Sequence, residues 1–400
     1  MKRIAVIFES SPFDRKGLFN AVHNRVRNLL ASGECWVDVY CIHSSDNALT
    51  RQLRHTVFAP KVDSVELDGI TYRMLWYKFS ILDHITLEKF GKRPFCFRQF
   101  IKRNVSYLEG YDLVIAHSFT GGLFAYEAYN RFAVPYFANW HGSDVHTHPW
   151  RVLVILEDTR RVMEKAKCNF FVSTALKTAS DKITVNARKD VLYNGVAEEF
   201  TGLDTFERAQ AREHFGLPSD ARIVAFAGNL SPVKNVMSLP EIFKSVSALY
   251  EGKLYFVVAG DGKLRKPLET AFHSHYERSE ESFTFLGNIP SEDMPALMNC
   301  IDVLVLPSIN EGLPLVCAEA LRCGANVVGS DVGGIAEVIG HENVVPLGEG
   351  FERQMAEKVV EMLASRDSKE GYSQPLPTEI SWSRTTLLEL ESFRQIGSEA

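Results

Sequence analysis

Residues 305–324 read Val-Leu-Pro-Ser-Ile-Asn-Glu-Gly-Leu-Pro-Leu-Val-Cys-Ala-Glu-Ala-Leu-Arg-Cys-Gly. The apolar run ending at Pro307 predicts a buried strand, and the polar residues after it predict a loop. A helix is expected from near Gly312, with Pro314 in its first turn, where a missing N–H is tolerated. The unpaired amides of such a turn favour an anion. Glu311 lies in the loop and Glu319 eight residues later, which on a helix is about two turns along the same face. Glu319 is set among Val316, Cys317, Ala318, Ala320 and Leu321, where a carboxylate without a partner is costly. A ligand rich in hydroxyls therefore accounts for the pair better than a solvated helix face does. A carboxylate in the loop can accept sugar hydroxyls while the second can accept a ribose diol, with the amides between them facing phosphate.

Working outward, short apolar runs alternate with longer amphipathic segments along the whole chain, the mark of βαβ units and a parallel sheet covered on both faces. Strands are expected at 3–8, 36–42, 112–116, 135–139, 168–173 and 189–193. After a polar stretch at about 198–221 the pattern restarts, with strands at 222–227, 253–259, 282–286, 301–306, 325–329 and 343–346. The fold class is α/β: two Rossmann-like, doubly wound parallel-sheet domains. The expected boundaries are 1–198 and 199–379, with residues 380–400 rejoining the first domain through an amphipathic helix from Trp382 to Ile396.

Four hundred residues, 46% hydrophobic and 24% charged, exclude a fibre, a mini-protein and a disordered chain. Residues 1–200 hold 27 basic and 21 acidic groups, a balance of +6, and residues 201–400 hold 17 and 29, a balance of −12. The acidic total argues against nucleic acid as a partner, and the basic half leaves room for an anionic surface or substrate. Seven cysteines without a Cys-x-x-Cys pair read as reduced core residues in a cytoplasmic protein. The apolar run Ile4 to Phe8 is stopped by Glu9 and reads as a strand, not as an export signal. No stretch is long and apolar enough to span a bilayer.

Ligands of open α/β sheets bind beyond the carboxyl ends of the strands, so the loops there carry the chemistry. Residues 225–235, Ala-Phe-Ala-Gly-Asn-Leu-Ser-Pro-Val-Lys-Asn, join the first strand of the second sheet to a loop with Gly228, Asn229 and Lys234. Residues 139–144, Asn-Trp-His-Gly-Ser-Asp, follow a strand of the first domain, with Asp144 expected to cap the next turn. The spacing Glu-x7-Glu in Glu311 to Glu319, together with these loops, resembles family 4 of the GT-B glycosyltransferases over nearly the whole chain. That resemblance implies two domains facing across a cleft, with the donor on the C-terminal one. It implies that Glu311 touches the donor sugar, Glu319 holds the ribose, and Gly312 and Leu313 offer amides. It implies that His141 contacts the sugar and Lys234 neutralises the diphosphate. Asn229 stands where such enzymes carry an arginine, and Asn235 where they carry a glycine; an amide donates a hydrogen bond there but no charge.

Further loops fit the same scheme. Glu9 to Gly17 resembles a phosphate-side loop, Asn194-Gly195-Val196 the domain junction, Gly260-Asp261-Gly262 a tight donor-side turn, and Phe285-Leu286-Gly287-Asn288 the border of the nucleobase. Gly17, Asn194, Gly260 and Leu286 are accordingly expected among the donor-binding residues. Phe119-Thr120-Gly121-Gly122 faces the acceptor or simply starts a helix. There is no Asp-x-Asp for a metal-bound diphosphate, no phosphate-loop lysine motif, no dinucleotide glycine fingerprint and no zinc spacing. From 72 to 111 eight basic residues oppose three acidic ones, interleaved with Phe79, Phe90, Phe95, Phe97 and Phe100. A cationic helix of this kind lies on an anionic membrane, such as the inner face of the cytoplasmic membrane, or turns its aromatics into the core.

The expected activity is retaining, metal-independent transfer of a hexosyl or N-acetylhexosaminyl group from a nucleotide sugar, UDP-sugar favoured, to a hydroxyl of a glycan or lipid-linked acceptor. No cofactor or metal is expected. A catalytically silent GT-B subunit that binds a partner or lipid, and a GT-B sugar-nucleotide epimerase, are the competing readings.

Overall fold

The computed structural model describes residues 1–13, 17–44, 60–78, 80–275, 283–368 and 374–396. The chain forms two compact units, Met1–Gly195 with Ser381–Ala400, and Val196–Ile380. The division therefore falls after Gly195, not after residue 198. Gly195 is required there, since a Cβ at that position would lie 2.2 Å from the Trp382 backbone nitrogen.

The first unit holds β1 (Lys2–Glu9), β2 (Cys35–Ser44), β3 (Ser64–Leu67), β4 (Ile70–Tyr77), β5 (Leu113–His117), β6 (Tyr136–Trp140), β7 (Cys168–Phe171) and β8 (Lys189–Val191). They lie in the order β3-β4-β2-β1-β5-β6-β7-β8, parallel except for β3. Every residue of β5 and β6 is buried, as expected of central strands covered by helices on both faces. The helix Trp382–Ile396 belongs to this unit and sets Phe393 against Phe137 at 5.6 Å between ring centres.

The hairpin β3–β4 was not anticipated, although its turn residues Asp68 and Gly69, both at positive φ, are a hairpin signal. It corrects the reading of 72–111 as one cationic helix. Residues 72–77 are strand, and the helices are Ile81–Glu88 and Phe95–Asn104. Phe97 and Phe100 turn inward against Tyr77, whereas Phe90 and Phe95 are exposed. Phe79 lies outside the described residues.

The second unit holds β9 (Arg222–Ala227), β10 (Leu254–Ala259), β11 (Phe283–Gly287), β12 (Val303–Leu306), β13 (Asn326–Ser330) and β14 (Val344–Val345), all parallel, in the order β11-β10-β9-β12-β13-β14. Chain order reverses between β9 and β12, and in the first unit between β1 and β5. Those are the topological switch points at which open α/β sheets bind ligands.

At the opposite end of the second sheet, Asp302 is fully buried and accepts from Arg208 and Arg212 at 2.9 Å and from the Ile223 amide at 2.8 Å. Arg222 and Arg366 approach it at 3.3 and 3.4 Å. Burial alone would raise its carboxyl, but these cations and the amide hold it below the ordinary carboxylate range. Among the described residues no helix is long and apolar enough to cross a membrane. The cysteines are unbridged, with Cys96 exposed and the other six buried.

Candidate active site

In the second unit, the short turn Pro232–Lys234 follows β9 and brings the Lys234 Nζ to 2.5 Å from Glu311 Oε1 in the loop after β12. The Ser308 hydroxyl donates to the same oxygen at 2.6 Å, and the Ile309 amide donates to the Val233 carbonyl at 2.8 Å. The two loops are thus tied by backbone and by charge. Asn235, where a glycine was expected, has φ 50° and ψ 36°. That left-handed conformation suits glycine and is tolerated by asparagine better than by most residues.

The neighbouring loops meet backbone to backbone. A Cβ at Gly260 would lie 1.9 Å from the Gly228 carbonyl oxygen, and one at Gly262 would lie 2.4 Å from that of Leu230. Exposed Asn229 stands beside this contact, its Oδ1 2.6 Å from where a Gly262 Cβ would be. Gly333, at φ +54°, has the Glu311 carbonyl oxygen 1.9 Å from its own missing Cβ, and the Gly334 amide donates to Gly312 at 3.1 Å. Leu313 is buried and Leu286, in β11, half-buried. The expected donor residues Gly228, Asn229, Lys234, Gly260, Glu311 and Gly312 therefore share one end of one sheet.

The helix after Glu311 begins later than its sequence suggested. It spans Leu315–Arg322, with Pro314 as its N-terminal cap. A residue preceding proline is pushed out of the helical region, which keeps Leu313 in the loop. Gly312 and Leu313 therefore offer loop amides, not first-turn amides, and Glu311 does not share a helix face with Glu319. Glu319 sits in the middle of the helix, half-buried, and desolvation by the protein around it pushes its carboxyl up to about 7.

In the first unit, Glu9 ends β1 and accepts from Thr120 Oγ1 at 2.5 Å and from the Tyr77 hydroxyl at 2.9 Å. Ser118, at φ +62°, turns the chain sharply from β5 into the helix Ser118–Phe132, a strained backbone of the kind that collects at ligand sites. Gly121 lets that helix rest on β1, since a Cβ would lie 2.5 Å from the Ile7 carbonyl oxygen. His141, just past β6, meets His117, the last residue of β5, at 3.0 Å between His117 Nδ1 and His141 Nε2. Burial, and then the charge of Arg25, lowers His141 to about 3 and lowers His117 as well.

Asp144 does not cap the short helix Ser143–His146 in which it lies. Its carboxylate instead accepts from the His141 and Phe119 amides at 3.3 and 3.4 Å, joining the loop after β6 to the helix after β5. Burial raises its carboxyl against those bonds. Gly17 opens the helix Gly17–Ala31 with open space where a Cβ would be; residues 14–16 of its loop lie outside the described residues. Asn194 is buried in the first unit and precedes Gly195, which packs against Trp382. Sequence reading missed Ser308, Gly333 and His117. Only the Gly333-Gly334 pair after a strand carried a local signal.

Residues 37–200 match the family model described as Glycosyltransferase Family 4, and residues 207–374 the one described as Glycosyl transferases group 1. An uncharacterized glycosyltransferase of Methanocaldococcus jannaschii is 28% identical over 224 residues, 56% of this chain and 51% of that protein. The chain spans about half the length of the first curated relatives it matches. Among solved structures, sucrose-phosphate synthase from Thermosynechococcus elongatus superposes with a TM-score of 0.72 at 19% identity, covering 100% of both chains. HepE of Anabaena in complex with UDP does so with 0.69 at 18% identity, covering 100% of this chain and 99% of that one. At these identities the structures establish the fold, which is GT-B. With the two family models matched in turn to its two units, the chain belongs to the GT-B glycosyltransferases of family 4.

Proposed function

We propose that this protein transfers a hexosyl or N-acetylhexosaminyl group from a nucleotide sugar, UDP-sugar favoured, to a hydroxyl of a glycan or lipid-linked acceptor, with retention and without a metal ion. The observation that carries this reading is the Lys234–Glu311 pair at the switch point of the second sheet, 2.5 Å apart. A cation and a carboxylate so placed match a donor with a charged diphosphate and a hydroxyl-bearing sugar. Glu319 accepts from the ribose diol. In the reaction the bond from the anomeric carbon to the diphosphate oxygen breaks, the bond to the acceptor oxygen forms on the same face, and the acceptor proton passes to the departing oxygen. The chain's task is then to stabilise developing negative charge, through Lys234 and the loop amides at Gly312 and Leu313. The UDP held by HepE favours uracil as the base. Exposed Phe90 and Phe95, with the exposed cations Lys89, Lys92, Arg98, Lys102 and Arg103, favour an acceptor carried at an anionic lipid surface.

The test is a thermal-shift screen against UDP, GDP, ADP and TDP and their sugars, in EDTA and then with magnesium. A ligand at a hundred times its Kd stabilises by about 2.7 kcal/mol. A selective rise with uridine nucleotides in EDTA, together with slow hydrolysis of one UDP-sugar, is expected. No rise with any nucleotide at millimolar concentration, or a rise that needs magnesium, would overturn the reading.

A further inference from the structure

The Asp302 cluster at the far end of the second sheet gathers more positive charge than its carboxylate neutralises. Arg208 and Arg212 lie one turn apart on the helix Thr205–His214, Arg222 opens β9, and Arg366 reaches in from the helix Phe351–Ser368. Three guanidiniums converge on one oxygen: Arg208 Nη2, Arg222 Nη1 and Arg366 Nε lie 2.9, 3.3 and 3.4 Å from Asp302 Oδ1. Arg212 Nη2 and the Ile223 amide occupy Oδ2, at 2.9 and 2.8 Å. A carboxylate has about four lone-pair sites, so Asp302 is saturated. Arg208, Arg212 and Arg366 pair with no other carboxylate among the described residues, which leaves three cations on one anion, an excess of +2 before Arg222 is counted.

The buried groups left over are donors. Among the described residues of the second unit, the buried side-chain polar atoms without a partner are Arg208 Nε, Arg212 Nε and Asn326 Nδ2. All three belong to this cluster or adjoin it, since the Asn326 amide donates to the Asp302 carbonyl at 3.0 Å. Arg208 donates to the protein only through Nη2, and Arg366 Nη1 is taken by the Gly324 carbonyl at 2.5 Å. Burial lowers Arg212 and Arg366 from the ordinary arginine value, Asp302 raises them again, and the charge of Arg208 works against it. The cluster is open to water through Arg208 and Arg222, with side chains 27% and 33% exposed, while Arg212 and Arg366 close its floor at 9% and 11%.

We propose that this end of the second sheet binds a phosphate group, free or carried on a larger molecule. Near pH 7 a phosphate carries a charge of about −1.5 to −2, which matches the excess, whereas a carboxylate or chloride would leave half of it. Its oxygens also accept from the planar fork of a guanidinium, often two bonds at a time. Arg208 and Arg366 offer the N–H groups that Asp302 does not use, and Arg222 lines the mouth. Arg222 and Asp302 stand at the N-terminal ends of β9 and β12, whereas Lys234 and Glu311 stand beyond the carboxyl ends of the same strands. The site is therefore separate from the proposed donor site and does not rest on the proposed function. A phosphate held there would brace two helices against the sheet and stabilise the second unit.

The experiment is calorimetric titration and thermal unfolding of the full chain with sodium phosphate near neutral pH, against sodium chloride at equal ionic strength. Phosphate is expected to bind saturably and to raise the unfolding temperature beyond the effect of chloride. Arg208→Gln should weaken phosphate by about tenfold or more, as expected when a charged partner is lost, and Lys234→Ala should leave its affinity unchanged. A hexose phosphate titrated in parallel distinguishes the sources. Tighter binding than orthophosphate assigns the site to a phosphate ester, and equal or weaker binding assigns it to the free ion. No response beyond that of chloride, or a response lost in Lys234→Ala and kept in Arg208→Gln, overturns the proposal. If Arg208→Gln does not fold, Arg208→Lys, which keeps the charge but not the fork, replaces it, and an affinity unchanged in that variant is equally fatal. Phosphate binding needs neither donor nor acceptor, so an absence of transferase activity would count against the proposed function alone.

Discussion

The Lys234 ammonium and the Glu311 carboxylate meet at 2.5 Å across the two loops that leave β9 and β12, the neighbouring strands between which chain order reverses. Each satisfies the other, and under the proposed function the pair would exchange this internal contact for a diphosphate and a sugar hydroxyl. Lys234→Ala should leave the fold intact, since its side chain is 22% exposed, and should lower kcat by about two to three powers of ten if it meets charge developing on the leaving group. Steady-state kinetics with a UDP-sugar separate this from a pure KM effect, which would place Lys234 in ground-state binding instead.

With Glu319 holding the ribose as proposed, nucleotide affinity should depend on pH. Burial pushes the Glu319 carboxyl up to about 7, whereas a ribose diol would hydrogen-bond the ionised form. Binding should therefore release a proton, and affinity for UDP should rise from pH 6 to pH 8. The effect on unliganded stability has the opposite sign. A raised carboxylate costs stability as pH climbs from the unfolded value of about 4.3 through about 7, and nothing further above that. Calorimetric titration at several pH values checks the first claim; Glu319→Gln should abolish the slope and weaken binding throughout.

Gly333→Ala should disturb the loops of the proposed donor site without touching any ligand directly. The new Cβ would lie 1.9 Å from the Glu311 carbonyl oxygen, on a backbone with φ +54°. The loop bearing Glu311 must move, and a UDP Kd about tenfold weaker or more is expected, since small displacements of positioned groups are costly. An unchanged Kd would detach this loop from the site.

Asp302→Asn should destabilise the second unit by about 3–5 kcal/mol, because four arginines would face a neutral group in a buried setting. Asp302 is held below its ordinary value, so its contribution is present above the unfolded pKa of about 3.9 and is lost as pH falls through the folded one. Urea unfolding followed in each unit separately should show the loss in the second unit alone.

Much of this was legible in the linear sequence because parallel strands buried on both faces leave uninterrupted apolar runs. β9, read as 222–227, is Arg222–Ala227, and the C-terminal helix, read as 382–396, is Trp382–Ile396. The glycines and charged residues after those runs then marked the loops of the proposed donor site. The edge hairpin escaped because the segment from 72 to 111 was weighed by its net charge; the burial of Tyr72 and Met74 on alternate residues of β4 signals a strand but becomes plain only once β2 lies beside it.

What the amino-acid order determined by itself, the edge hairpin and the helices next to it apart, was the run of elements and the residue types at their ends, since periodicity, turn chemistry and the proline rule act over a few residues. The start of the helix at Leu315 is such a local matter, decided by Pro314. Tertiary structure alone decided the meeting of Lys234 with Glu311, of His117 with His141, and of Arg25 with Glu389, separated by 77, 24 and 364 positions. These contacts depend on strand order and on the return of the C-terminal helix, and no local pattern encodes which loop end will lie next to which. The protonation of the buried groups was decided there too, because desolvation and neighbouring charge exist only once the chain is packed.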